Sequence, residues 1–156
     1  MSAVPPSAFS MEDANARFNN GFPALVGLHF LEWQEDRAVL GLQVRQEHLN
    51  LGNVIHGGVL ATLMDVAGAC AGTYCPYPER VRKAVTLSMT NTFTGQAGEG
   101  LIRAIGTRRA GGSRIYNSTM EVFDQQGQPP SLLGSAALRE LGDVLASLRR
   151  EMPRAL

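Results

Sequence analysis

The order of apolar and polar positions predicts a helix, a pair of strands, a long central helix and further strands. Residues 10–20 are typical of a short helix, with Ser10 as its N-cap and Gly21 just after its end. Apolar residues then alternate along 27–34 and 37–44. This alternation predicts two strands joined by a polar turn.

The longest apolar run predicts one buried helix from about residue 57 to residue 74, stopped by Pro76 and Pro78. Strand patterns follow at 83–93, 100–109 and 113–124, the last two around a glycine turn. Segment 131–141 fits either a strand or a helix by pattern alone, and 143–152 predicts a short C-terminal helix.

The strand at 83–93 is expected to cover the helix with one of its faces. Alternation assigns to that face Val85, Leu87, Met89, Asn91 and Phe93. One apolar helix and one antiparallel sheet make an α+β layer pair. We therefore expect an N-terminal arm with a short helix at 1–21, the main domain at 22–141 and a tail at 142–156.

Composition restricts the classes of function. The 156 residues are 44% apolar, which fits one domain with a real core, and 14 basic residues balance 14 acidic ones. A chain without net charge implies no basic surface for nucleic acid. No run approaches the ~18–20 apolar residues of a membrane span. The N-terminus lacks a secretory signal pattern, so a cytoplasmic protein is expected.

Cofactor motifs do not occur in the sequence. The two cysteines are too few for a disulfide framework, and no Cys, His or Asp cluster has metal-ligand spacing. Neither a phosphate-binding loop nor a dinucleotide fingerprint is present. We expect no metal and no cofactor.

Asp65 lies in the middle of the apolar helix. At about 100° per residue, the positions near it are small: Gly58, Ala61, Thr62, Gly68, Ala69 and Gly72. A solvated face normally carries Lys, Glu or Gln instead, although an exposed aspartate is the plainer interpretation. Glycines inside a helix are easiest to explain by a close neighbour, either a second copy of the helix or a ligand.

His56-Gly57-Gly58 stands at the start of the same helix. The first N–H groups of a helix are unpaired and carry partial positive charge, and glycine leaves them open to a substrate oxygen. Such N–H groups polarise a carbonyl and stabilise an oxyanion. A tight helix entry beside a hydrogen-bonded histidine explains the motif equally well.

Asp65 and Gly57 cannot meet at one carbonyl within a single chain. Eight residues of helix separate them by about 12 Å. If both act, two copies of the helix must run antiparallel, so that Gly57 of one copy meets Asp65 of the other. A two-fold dimer with two composite sites is the resulting hypothesis.

The combined motif resembles that of hotdog-fold acyl-CoA thioesterases of the PaaI-like class. The likeness runs from about Gly27 to Leu138 and rests on Asn50, the His-Gly-Gly motif, Asp65 and the strand that follows the helix. It implies an antiparallel sheet wrapped around one long central helix. It also implies homodimers that join their sheets, often paired into homotetramers, with an acyl-CoA substrate.

The resemblance implies a role for each motif residue in hydrolysis to free acid and coenzyme A. Asp65 would act as general base or nucleophile at the thioester, and the Gly57 N–H would polarise its carbonyl. Asn50 would help to bind that carbonyl, while His56 would hold the loop or add a hydrogen bond. Thr86 stands where relatives often place a Ser or Thr that orients the water with the acid.

Coenzyme A also needs phosphate contacts, for which basic residues around a glycine turn are suited. The expected contacts, with Gly58 at the helix start, are Arg108, Arg109, Gly112, Ser113 and Arg114. An ordinary hairpin with exposed arginines is the alternative. Two other functions stay open: a non-catalytic acyl-CoA binding protein and a hotdog hydratase or dehydratase. Neither the acyl group, aromatic or aliphatic, nor dimer against tetramer follows from the sequence.

Overall fold

The computed structural model describes residues 9–77, 80–127 and 132–143. The predicted helix at 143–152 therefore lies outside the described residues, apart from its first position. The helices and strands are α1 (Met11–Ala16), α2 (Gly21–Val26), β1 (Leu28–Gln34), β2 (Arg37–Gln43), α3 (Gly57–Gly72), β3 (Arg82–Phe93), β4 (Leu101–Gly111), β5 (Ile115–Phe123) and β6 (Leu132–Asp143).

The strands form one sheet in the order β1-β2-β4-β5-β6-β3, and every pairing between these strands is antiparallel. Strand β3 follows the helix in sequence but lies at the edge of the sheet, beside β6. Helix α3 packs on one face of the sheet and contacts all six strands. The predicted α+β class is confirmed.

The N-terminal helix begins where the sequence predicts it. The Ser10 N–H donates to Asp13 Oδ2 over 2.8 Å, and the Asp13 N–H donates to Ser10 Oγ over 3.2 Å, which completes a capping box. The prediction that Gly21 follows this helix is imprecise, because Gly21 starts a second helix, α2, after a break at 17–20. Segment 131–141, which fitted either structure, is strand from Leu132 onward.

A β-bulge in β3 changes the predicted face of that strand in part: Met89, Asn91 and Phe93 keep the predicted side, but Val85 and Leu87 do not. Thr86 pairs with Leu138 and Ser88 pairs with Ala137, so Leu87 is the extra residue and the alternation changes sides there. Thr86 consequently faces α3 together with Phe93. The two are seven positions apart, an odd spacing that would put them on opposite faces of a regular strand. Val85 and Leu87, predicted to be covered, are 43% and 52% exposed.

Three of the contacts between helix α3 and the sheet are made at glycine, where a larger side chain would not fit. A Cβ on Gly68 would stand 2.9 Å from Met120 Sδ, a Cβ on Gly72 would overlap the Tyr116 ring, and one on Gly106 of β4 would overlap the Ala67 carbonyl. Gly68 and Gly72 are therefore buried against the sheet. The interpretation that they leave room for a second helix or a ligand is wrong.

Side chains of the sheet also bond to the carbonyls of α3. The Ser118 hydroxyl donates to Gly68 O over 2.9 Å, and the Tyr116 hydroxyl donates to Ala69 O over 2.8 Å. Trp33 Nε1 donates to the next carbonyl, Cys70 O, over 2.8 Å. Three successive carbonyls are thus held from β5 and β1, which fixes how far α3 is rotated on the sheet.

The end of α3 is connected to strand β6 through an ion pair. Arg82 contacts both carboxylate oxygens of Glu140, at 2.8 and 2.9 Å, and also donates to Tyr74 O over 3.3 Å. The hydrogen bonds from Arg82 hold the pKa of Glu140 below its usual value. The Arg82 guanidinium is therefore engaged within the fold.

We expect Gly72→Ala to lower the free energy of unfolding by about 1–3 kcal/mol, because the new methyl group must displace the Tyr116 ring. Urea denaturation measures the change. Gly112→Ala is the matched control, since a methyl group there meets no described atom within 4 Å. Equal stability of the two variants would contradict the close approach of α3.

We expect Glu140→Gln to lose roughly 0.5–1 kcal/mol of stability at neutral pH. A lowered pKa in the folded state contributes stability above the pKa of the unfolded chain, about 4.3, and that contribution is lost as the pH falls through the folded value. Unfolding curves at several pH values should therefore converge in acid. A difference that stays constant with pH would exclude the ion pair as its cause.

Candidate active site

Asp65 and Thr86 form one half of the site. The Thr86 hydroxyl donates to Asp65 Oδ1 in a short hydrogen bond, and the carboxylate is half-buried where α3 lies beside β3. The bulge at Leu87 makes this contact possible, because in an unbroken strand the face that carries Phe93 could not carry Thr86. Since Thr86 occupies Oδ1, Oδ2 is the oxygen left to accept a proton from a water molecule.

The start of α3 forms the other half. His56 is the N-cap, and its Nδ1 accepts the Gly58 N–H over 2.9 Å. Within the described ranges the Gly57 N–H donates to no acceptor, so Gly57 rather than Gly58 carries the open donor. A Cβ on Gly57 would stand 3.2 Å from the Phe93 ring, which lies over this entrance.

Asn50 lies in the loop next to this entrance. Its Oδ1 accepts the N–H groups of Gly52, over 2.8 Å, and Val54, over 3.3 Å. These bonds orient the amide so that Nδ2 remains a donor. Asn50 and Gly57 line the same cavity of about 430 Å³, together with Phe93. The structure thus brings two of the predicted carbonyl-binding groups together.

His48 is a positioning residue that the sequence analysis missed. It is 4% exposed; its Nδ1 accepts the Arg45 N–H over 2.9 Å, and its Nε2 bonds to Val26 O over 2.7 Å. Its own carbonyl accepts the His56 N–H over 2.8 Å. His48 thereby ties α2 to the start of α3. A lone histidine at a loop start gives no sequence signal for these contacts.

The two halves do not meet in one chain. Gly57 and Asp65 are eight positions apart on α3, a rise of about 12 Å. A single thioester carbonyl cannot bridge that distance. Within one chain the structure therefore contains the Asp65–Thr86 pair and, separately, two hydrogen-bond donors that could bind a carbonyl oxygen: the Gly57 N–H and the Asn50 amide.

The basic turn between β4 and β5 lies at the far end of α3. Arg108 lines a cavity with Gly72, donates to Gly112 O over 3.2 Å and lies 3.7 Å from Asp36. Arg109 Nε donates to Thr119 Oγ1 over 2.8 Å. Since Gly57 and Gly72 are about 22 Å apart along the helix, one chain does not bring this turn to the start of α3.

The other predicted members of the turn are exposed: Gly112, Ser113 and Arg114. Across the part of the chain that the structure describes, no three His, Cys, Asp or Glu side chains cluster closely enough to hold a metal ion. Among the described helices, none is both long and apolar enough to cross a membrane.

The chain belongs to the thioesterase superfamily, whose family model matches residues 52–131. A curated relative, the "Putative esterase" of Archaeoglobus fulgidus, is 33% identical over 78 residues, which is 50% of this chain and 49% of that protein. The match thus spans about half the length of the curated relative.

Solved structures share the fold. A mutant of the phenylacetic acid degradation protein PaaI from Thermus thermophilus is 26% identical, covers 74% of this chain and 95% of its own, and has a TM-score of 0.63. A thioesterase from Haemophilus influenzae is 19% identical, covers 87% of this chain and 93% of its own, and has a TM-score of 0.76. At this identity the likeness shows the fold alone. The resemblance to PaaI-like hotdog thioesterases and the expected hotdog fold are confirmed.

Proposed function

We propose that this protein is an acyl-CoA thioesterase, which hydrolyses an acyl-CoA thioester to free acid and coenzyme A. The observation that carries the proposal is the Thr86–Asp65 hydrogen bond on the helix whose first residue presents an open N–H group. Membership of the thioesterase superfamily supports the reaction class.

The residues divide the chemistry between them. Asp65 Oδ2 takes a proton from water as the water oxygen attacks the thioester carbon. The developing oxyanion accepts hydrogen bonds from the Gly57 N–H and the Asn50 amide. When the carbon–sulfur bond breaks, the thiolate of coenzyme A leaves and takes up a proton. Direct attack by Asp65, through an anhydride, is the variant of this route.

The proposed site is built by two subunits, because the halves lie about 12 Å apart in one chain. Two antiparallel copies of α3 place Asp65 of one subunit beside Gly57 of the other. The position of β3 at the sheet edge supports this dimer, since an edge strand has a free row of backbone groups. Its exposed apolar side chains support it too: Val85, Leu87 and Phe93.

The same arrangement gives the basic turn a role. In an antiparallel pair of helices, the end of one α3 lies near the start of the other. The turn with Arg108, Arg109 and Arg114 therefore approaches the Asn50 loop of the second subunit. We propose that it binds the phosphates of coenzyme A there.

We expect Asp65→Asn to reduce thiol release from acyl-CoA by about 10²–10⁴-fold, because the proton acceptor is lost. Thr86→Val, which loses the hydroxyl, should reduce kcat more than KM, whereas Thr86→Ser should keep most activity. A thiol-reactive dye measures the rates over a panel of acyl-CoAs. Full activity of Asp65→Asn would remove Asp65 from the mechanism, and binding without thiol release would favour a non-catalytic protein.

The two-subunit site makes a separate prediction. Asp65→Asn and Asn50→Ala are each expected to be inactive as pure dimers. When they are unfolded together and refolded as a mixture, half of the dimers are mixed and each of these holds one intact site, so about a quarter of wild-type activity should return. Each variant refolded alone is the control. Failure of the mixture to recover, with mixed dimers shown by mass spectrometry, would contradict the shared site.

A further inference from the structure

A third cavity, of about 630 Å³, lies between α2 and the first two turns of α3. Its walls are mainly apolar. The residues that line it include Phe22, Leu25, Val26, His56, Val59 and Thr62. We propose that this cavity holds the acyl group of the thioester, so that α2 determines acyl selectivity. The inference rests on the proposed function and names the substrate class of the same site.

The position of the cavity links it to the proposed chemistry. It begins at His56 and Gly58, beside the open N–H of Gly57, and continues to Thr62. Thr62 precedes Asp65 by three residues and so lies on the same side of α3. The cavity therefore runs from the start of α3 along the side of the helix that carries Asp65, which is the side that faces the second subunit in the proposed dimer. An acyl chain can leave the carbonyl along this path.

His56 gives the mouth of the cavity a polar group of known direction. Because Nδ1 accepts the Gly58 N–H, Nε2 is the ring nitrogen that carries a hydrogen, and it donates to no described residue. An apolar cavity of about 300–1,000 Å³ with a few polar groups at one end is the usual form of a small-molecule site. The carboxyl end of the acyl group fits this polar end.

The wall formed by α2 is fixed in place. The Arg45 guanidinium donates to Leu25 O over 3.2 Å and to Val26 O over 3.3 Å, and His48 Nε2 also bonds to Val26 O. These contacts hold the end of the helix while Phe22 and Leu25 remain 58% and 74% exposed. Large apolar side chains on a helix that is fixed in this way are suited to contact an apolar ligand.

The lining selects an uncharged acyl group of medium length. The Arg45 guanidinium is bonded to the α2 carbonyls, and Glu47, the other charged residue of the lining, is exposed. An acetyl group would leave the apolar walls in contact with water. Each further methylene that is buried should raise kcat/KM about threefold to fourfold until the cavity is full.

The test compares acetyl-, butyryl-, hexanoyl- and octanoyl-CoA in the full-length wild-type protein and in Leu25→Trp. The indole should fill the cavity, so kcat/KM for octanoyl-CoA should fall about tenfold or more while that for acetyl-CoA stays within about twofold. Leu141→Trp is the matched control, because Leu141 is also exposed, at 55%, but lies on β6 and lines neither this cavity nor the basic turn. Leu25→Ala should weaken octanoyl-CoA turnover more mildly.

An unchanged chain-length profile in Leu25→Trp would overturn the inference. So would a profile that changes only because the dimer dissociates, which sedimentation at the assay concentration detects. Binding of a non-hydrolysable thioether analogue of octanoyl-CoA, measured by calorimetry, separates the inference from the proposed function. Binding that weakens tenfold in Leu25→Trp supports the cavity even if no acyl-CoA is hydrolysed, and equal binding contradicts it.

Discussion

The close approach of helix α3 to the sheet is the constraint on which the arrangement of the site depends. Gly68 and Gly72 let the helix lie against Met120 and Tyr116, and the Tyr116 hydroxyl bonds to a carbonyl of the same helix. This fit determines both the depth and the rotation of α3. Asp65 consequently emerges at the sheet edge, where β3 can reach it, and is not buried under the helix or released to open solvent. A carboxylate in that position needs no loop to hold it.

The bulge in β3 is the second part of the same construction. One extra residue, Leu87, lets the strand turn both Thr86 and Phe93 toward α3, where they contact its middle and its start. The strand thus contacts both halves of the site. The Thr86 hydroxyl bonds to Asp65, and the Phe93 ring lies over the start of α3, where the Gly57 N–H is. The His48 contacts complete the start of α3 from the other side, since the buried His48 ring bonds to Val26 O of α2 and the His48 carbonyl accepts the His56 N–H.

Much of this architecture was predictable from the sequence, because local periodicity determines the long helix and the alternating strands. The grouping of Asn50 with Gly57, and of Asp65 with Thr86, was implied by the resemblance to PaaI-like thioesterases. The errors came from contacts between distant segments. The face of β3 changes at a bulge that only pairing with β6 reveals, and the helix glycines fit side chains of β5 some fifty residues later. The contacts of His48 likewise depend on α2, a helix that the pattern did not predict.

In the proposed dimer, the precision of the site comes from how the subunits join. Each half is positioned by contacts within its own chain, so the separation of Asp65 from the second Gly57 depends on the alignment of the two β3 strands. A slip of two residues would move one half by about 6.8 Å. Reacting groups must approach to about 3–3.5 Å, so such a slip would abolish the site. The bulge interrupts the regular edge at Leu87, and the apolar side chains beside it differ in size. An edge with such features has one best alignment, whereas a uniform edge would have several.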